Sequence, residues 1–288
     1  MPLTCKAGQW HISLEFKRGT AALAAFTRQQ SAMPITWLAS YPKSGNTWLR
    51  FLLANIIHGG MPATSLGVSK LVHDIHQPKV PFEPADPDQL FIKTHFARTD
   101  RHPRIGETAR AVHVVRHPRD VLLSALNYRR MEGVIENLTD AQYAETFISH
   151  GGDPLWAKLG YGSWIQHAAT WATNAPFPVL TIRYEDLKSD AEATLKRVLA
   201  FVELEADDSD IERAVKESSF DQLRALEIRE RGKKTIFPGT AKDTREKRFF
   251  FNKGASGQSL DAIRPGLDAA LDQRFGPAIT KLGYDDRD

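Results

Sequence analysis

A single cysteine, Cys5, stands in the 288 residues, so no disulfide can form within the chain, and nothing in its chemistry calls for an oxidising compartment. A cytoplasmic location is expected. Long apolar runs are missing too, and none approaches the roughly 20 residues of a membrane-spanning helix. The first 33 residues scatter Lys6, Lys17, Arg18 and Arg28 among apolar neighbours without the unbroken apolar core of a secretory leader; a peripheral N-terminal extension is expected there. Charge of one sign is scarce. A formal net charge of +3 admits an anionic ligand but is too small to imply nucleic acid. His73 and His76 have an i, i+3 spacing but no third ligand nearby, so they read as surface residues with no metal role. There is no internal repeat and no low-complexity segment.

With those classes set aside, an ordinary globular composition remains, 42% hydrophobic and 25% charged, enough for one domain over residues 34–288 with insertions. Residues 35–57, ITWLASYPKSGNTWLRFLLANII, organise it. A short apolar run suited to a buried strand breaks at Tyr41-Pro42-Lys43-Ser44-Gly45-Asn46-Thr47 and resumes from Trp48 at helical spacing. A strand emptying through such a turn leaves the first N–H groups of the helix unpaired, with the positive end of the macrodipole behind them. Lys43 and the hydroxyls of Ser44 and Thr47 complete an anion cradle. The G-x-x-x-x-G-K-[ST] spacing of a standard phosphate loop is absent, and the same residues could instead merely cap a helix with Lys43 solvated.

Further strand-to-helix units follow. Gly59-Gly60-Met61-Pro62 ends the first helix, and the proline-dense stretch to residue 90 reads as a loop, a wall or lid over a ligand. Residues 90–95, LFIKTH, form a short strand that would bring Lys93 and His95 to the sheet edge where ligands gather, although His95 could equally well just cap the strand or hydrogen-bond locally. AVHVV at 111–115 is a central strand running into Arg116-His117-Pro118-Arg119-Asp120 and a helix, a second basic turn in which Arg116, Arg119 and Ser124 suit another phosphate. Residues 129–162 read as a connection with one short helix. A helix over 163–173, a strand within 177–186, and helices over 191–202, 211–226 and 259–282 complete the chain. Strands alternating with helices predict an α/β fold, a central parallel sheet flanked by helices on both faces. Between residues 229 and 253, nine basic residues stand against three acidic ones around Phe249-Phe250-Phe251, which predicts a basic lid near 229–257.

The ordered motifs resemble the PAPS-dependent sulfotransferases, whose donor is 3′-phosphoadenosine 5′-phosphosulfate. YPKSGNTW at 41–48 resembles the 5′-phosphosulfate loop and RHPRDVLLS at 116–124 the 3′-phosphate motif. KTH at 93–95 resembles the catalytic-histidine strand, RYEDL at 183–187 a family signature near adenine, and NKGASG at 252–257 the closing Arg-Lys-Gly loop. The resemblance implies a P-loop-like nucleotide-binding fold and direct, metal-free transfer of a sulfuryl group to an acceptor hydroxyl. It implies His95 as base, Lys43 on the bridging oxygen and Lys93 on the sulfuryl oxygens. Gly45, Asn46 and Thr47 would hold the 5′-phosphate, and Arg116 and Ser124 the 3′-phosphate. Trp48, Tyr184, Ser218 and Phe220 would border adenine, with Lys253 and Gly254 closing over the nucleotide. The chain departs from the pattern at Asn252, where an arginine is usual, leaving Arg248 or Arg245 to replace it. Ser259 and Leu260 stand where a tryptophan is common, and the C-terminal pairing motif of animal members is absent, which leaves the oligomeric state open.

Two other functions stay open on the sequence: a phosphotransferase using Glu185-Asp186 for Mg²⁺, and a nucleotide-binding protein without chemistry. The acceptor is expected to be a small hydroxylated compound or a carbohydrate. Its walls should come from insertions near 60–90 and 129–162 and from the basic lid, with Val80, Phe82, Phe96, Val134 and Trp156 as apolar candidates.

Overall fold

Two short strands, β1 (Cys5–Lys6) and β2 (Gln9–Trp10), pair antiparallel as a separate sheet. The main sheet is parallel and five-stranded: β3 (Ile35–Ser40), β4 (His73–Asp74), β5 (Leu90–Thr94), β6 (Thr108–Val115) and β7 (Val179–Arg183) stand in the order β4-β5-β3-β6-β7. These assignments come from a computed structural model that describes residues 5–6, 9–10, 33–77, 89–233, 235–238 and 248–284. Ten helices are labelled in chain order: α1 (Asn46–His58), α2 (Ser65–Leu71), α3 (Pro118–Met131), α4 (Asp140–His150), α5 (Trp164–Ala172), α6 (Tyr184–Ser189), α7 (Ala191–Val202), α8 (Asp208–Glu217), α9 (Phe220–Glu230) and α10 (Leu267–Lys281).

Every residue of β3 is buried, because helices cover both faces of the sheet and successive side chains alternate between them. Leu38, with Val112, Val114 and Ile182, joins Leu49, Leu52 and Leu53 of α1 and the apolar sides of α7 to α9. Trp37 and Ala39, with Ala111 and Ile92, meet Trp171 of α5 on the other face. A further cluster, including Tyr41, Val115, Val121, Phe147, Trp164 and Phe275, joins the carboxyl edge of the sheet to α3, α4, α5 and α10. The α/β class with helices on both faces is what the alternating pattern implies.

The structure departs from the sequence reading where elements are short or broken. Residues 60–77 are not all loop: α2 forms there, and β4 pairs His73 with Ile92 and Asp74 with Lys93. Two residues are too few for a periodic signal. The connection 129–162 holds the full helix α4, opened by a reciprocal Thr139–Gln142 capping box, and then a helical turn, Pro154–Trp156. The helix read over 211–226 breaks at Ser218-Ser219 into α8 and α9. The last helix begins at Leu267, not Ser259, because Arg264-Pro265-Gly266 interrupts it: a proline disfavours helix at the residue before it, and Gly266 takes φ 87°. Among the described residues no helix is long and apolar enough to cross a membrane.

Candidate active site

The chain leaves β3 and turns through residues 41–45 with two left-handed residues, Lys43 at φ 71° and Gly45 at φ 102°. Gly45 is required twice over. An added Cβ would strain the backbone and stand 2.6 Å from Cδ2 of Tyr184. The Asn46 side chain donates to the Leu38 carbonyl at 2.8 Å, tying the turn to its strand. At the other end the Tyr41 hydroxyl accepts from the amide of Asp153, whose carboxylate is held by both arms of Arg129 and by Tyr143. The start of α1 carries no acidic residue and no side-chain cap. It opens instead onto a cavity of about 730 Å³ lined by Lys43, Gly45, Asn46, Thr47 and Trp48. Free amides at a positive helix end form an anion receptor.

Lys43 Nζ lies 3.6 Å from the ring centre of Phe250 and 4.4 Å from that of Tyr128. Burial, reinforced by the nearby Arg116 guanidinium, lowers its pKa to about 7. Arg116, buried at the end of β6, donates to the carbonyls of Lys43 at 3.2 Å and Ala255 at 2.7 Å, and stacks 4.2 Å from the Tyr184 ring centre. Its Nε has no hydrogen-bond partner among the described residues. Ser124 lines the same cavity. Arg119 does not, because it reaches Asp268 and Asp272 on α10; its expected part in a second phosphate site is therefore not supported. Asp120, one residue further, accepts from the amides of Gly257 and Gln258 and so ties the loop 252–257 to the start of α3. In that loop Gly254 has φ 58°, and a Cβ there would stand 2.9 Å from the Phe220 ring.

His95 follows β5. Its Nδ1 is 2.7 Å from the Ser40 carbonyl, which can only accept, so Nδ1 carries the proton and Nε2 keeps its lone pair. Burial, with Lys93 and His76 adding to it, holds the imidazole well below its ordinary pKa of 6.5. A neutral base at pH 7 results. Lys93 lines the cavity too, but its ammonium is 2.9 Å from Asp74, which also faces Arg50 at 3.6 Å. His76 is not a surface residue: it stands in the cavity wall, stacked 5.4 Å from His95. His73, in β4, is buried as well.

A family model described as Sulfotransferase domain matches residues 34–283. The chain belongs to the sulfotransferase domain family. Sulfotransferase 1C2 of Homo sapiens is 26% identical over 204 residues, covering 65% of this chain and 64% of the relative. The chain thus spans just under two thirds of the length of the first curated relatives it matches. Cytosolic sulfotransferase 15 of Arabidopsis thaliana is 28% identical over 270 residues, covering 83% and 71%. Among solved structures, mouse sulfotransferase SULT7A1 complexed with PAP superposes with a TM-score of 0.61 at 21% identity, over 96% of this chain and 94% of the other. Retinol dehydratase in a complex with retinol and PAP gives 0.63 at 16%, over 94% and 88%. At these identities the superpositions show a shared fold.

Of the residues that the motifs single out, this sulfotransferase domain brings Lys43, Gly45, Asn46, Thr47, Trp48, Lys93, His95, Arg116, Ser124, Tyr184, Phe220, Asn252, Lys253 and Gly254 to one cavity. Ser44 and Ser218 do not line it, though both are buried and their hydroxyls have no hydrogen-bond partner among the described residues. Of the arginines offered in place of the one missing at Asn252, Arg248 does not line the cavity and Arg245 lies outside the described residues. Of the apolar residues expected around an acceptor, Trp156 lines the cavity, Phe96 and Val134 do not, and Val80 and Phe82 lie outside the described residues. Sequence reasoning missed Asp74, His76, Tyr128, Glu132, Tyr161 and Phe237 as cavity residues. Only their membership of irregular insertions could have flagged most of them. Of the lid, Phe249 and Phe251 are core residues, held because buried Glu227 of α9 accepts from the amides of Phe250 and Phe251.

Proposed function

We propose that this chain transfers a sulfuryl group from 3′-phosphoadenosine 5′-phosphosulfate to the hydroxyl of a small acceptor. One observation carries the reading: Lys43, Arg116 and a neutral, base-competent His95 face the same cavity, with the amide end of α1 between the strands that deliver them. The residues suit the donor. Buried polar groups with no partner among the described residues, Arg116 Nε and Trp48 Nε1, await acceptors such as phosphate oxygens and ring nitrogens, and the Gly45 and Gly254 positions leave room only for backbone beside the rings of Tyr184 and Phe220.

When bound, the donor supplies an activated sulfuryl group on a nucleotide leaving group. The amides of Gly45 and Asn46 and the Thr47 hydroxyl would hold its 5′-phosphate, and Arg116 and Ser124 its 3′-phosphate. Lys253 and Gly254 would close over the nucleotide, and Trp48, Tyr184 and Phe220 would border the adenine. Lys43 would stabilise charge gathering on the leaving phosphate. His95 Nε2 takes the acceptor hydroxyl's proton, and its Nδ1–H bond to Ser40 keeps the ring in the tautomer that can do so. Lys93, shared with Asp74, would add positive charge near the sulfuryl oxygens. The acidic pair that a phosphotransferase would use is engaged elsewhere. Glu185 accepts from the His117 amide and the Tyr284 hydroxyl, and Asp186 pairs with Arg183. A cytoplasmic small-molecule enzyme is the matching setting.

The test is a screen with sulfur-labelled donor across phenols, alcohols, sugars and amines. Label should pass to at least one hydroxylated acceptor. Mg²⁺-dependent ATP turnover with no sulfuryl transfer would instead support the phosphotransferase.

A further inference from the structure

His76 and Tyr161 form a hydrogen-bonded pair on the acceptor side of the cavity that the catalytic scheme leaves unused. The His95 amide can only donate, and it donates to His76 Nε2 at 2.8 Å. Nε2 therefore carries no proton. The neutral ring then has its hydrogen on Nδ1, which is 3.1 Å from the Tyr161 hydroxyl. A doubly protonated ring would set an N–H against the His95 amide, so the same contact excludes the imidazolium. Burial acts in the same direction and lowers the His76 pKa to about 3. With Nδ1–H donating, the Tyr161 oxygen is the acceptor in this bond, and its own O–H is left to donate elsewhere. Tyr161 and His95 line the cavity together, their ring centres 5.8 Å apart.

We infer that Tyr161 donates a hydrogen bond to the acceptor's nucleophilic oxygen and so selects hydroxyl over amine acceptors, with His76 as the positioning residue that fixes the direction of that bond. The argument rests on the sulfotransferase reading above. A hydroxyl oxygen has two lone pairs and one hydrogen: the hydrogen goes to His95 Nε2, one lone pair accepts the hydrogen bond from the Tyr161 O–H, whose proton stays on Tyr161, and the other lone pair is left to attack sulfur. A neutral amine has one lone pair, and attack requires it. An amine in the same place leaves the half-buried Tyr161 O–H facing it without a partner where the bound acceptor shuts out water, and a hydrogen bond left unmade there is the kind of loss that discriminates strongly. The proton balance is unchanged from the basic reaction, in which His95 holds the acceptor's proton.

The experiment compares kcat/KM for an isosteric neutral pair, 2-naphthol and 2-aminonaphthalene, in the wild type, Tyr161→Phe and His76→Phe. The last keeps an aromatic ring beside His95 but removes the Nδ1–H. Binding of 3′-phosphoadenosine 5′-phosphate checks that each variant keeps its cavity. The hydroxyl-to-amine ratio should fall about tenfold to a hundredfold in Tyr161→Phe and in the same direction, by less, in His76→Phe. A ratio within about threefold of wild type in Tyr161→Phe, where one lost hydrogen bond predicts more, overturns the proposal and leaves the sulfotransferase reading standing. A wild type that sulfates neither compound nor any other hydroxyl overturns both.

Discussion

If a nucleotide phosphate binds against Lys43, its affinity should carry the signature of a lysine that is half neutral near pH 7. The free pKa is about 7, lowered by burial and by Arg116. At pH 8 such a group is about 90% neutral, and protonating it costs about 1.4 kcal/mol. A bound phosphate favours the ammonium and raises the pKa in the complex, so affinity is fully present below the free pKa and lost as pH rises from about 7 towards the bound value. Above pH 7.5 a phosphate monoester is already a dianion, and His95, held well below 6.5, is neutral throughout. Lysine titration then governs the slope. The dissociation constant of 3′-phosphoadenosine 5′-phosphate should rise about tenfold per pH unit between 7.5 and 9. Calorimetry in buffers of different ionisation enthalpy should show close to one proton taken up per nucleotide at pH 8. Lys43→Met should bind more weakly at pH 7 and lose both the slope and the proton uptake. A flat pH profile in the wild type, or an unchanged slope in Lys43→Met, would refute the reasoning.

Other outcomes follow from neighbouring groups. Arg116→Ala should weaken 3′-phosphoadenosine 5′-phosphate by about 30- to 150-fold, the loss of charge-assisted phosphate bonds worth about 2–3 kcal/mol, and adenosine 5′-phosphate far less; titration calorimetry with both nucleotides checks this. Gly45→Ala should lower both the Tm and nucleotide binding, because its Cβ would meet Tyr184 at 2.6 Å in a left-handed backbone; a variant with wild-type binding by the same calorimetry contradicts the cradle's geometry. His113 in β6 and His167 in α5 are buried with no hydrogen-bond partner among the described residues on either ring nitrogen, their rings 5.5 Å apart. Burial lowers the His113 pKa to about 3, so its stabilising contribution is complete above the unfolded value of 6.5 and is lost as pH falls towards 3. Between pH 7 and pH 5 that one group should remove about 2 kcal/mol. His113→Leu should flatten the loss in urea unfolding curves at the two pH values.

The sheet's centre was legible because β3 and β6 are long, apolar and followed by turn residues with unmistakable chemistry. Tyr41 to Trp48 and Arg116 to Ser124 could be read as cradles because a strand, a basic turn and a helix follow one another in the sequence itself. The side of the cavity formed by Asp74 and His76 was not legible for a physical reason. Asp74 and His76 reach the cavity from a two-residue edge strand and the turn after it, too short for any period. Phe250 lies over Lys43, and Glu227, 23 residues earlier, holds its amide. Arg119 looked like a phosphate ligand from its neighbours in the chain, and its partners Asp268 and Asp272 lie on the last helix. Partners distant in sequence decide the role of such residues, and local pattern does not contain them.

The central claim is that Lys43 and His95 act on one transferring group in one cavity. Its most direct test is sulfur-labelled donor turnover with a hydroxyl acceptor in wild type, Lys43→Ala and His95→Ala, each protein first titrated with 3′-phosphoadenosine 5′-phosphate. Both variants should lose about a hundredfold or more in kcat, while His95→Ala keeps near wild-type nucleotide affinity. Wild-type turnover in either variant would contradict the account.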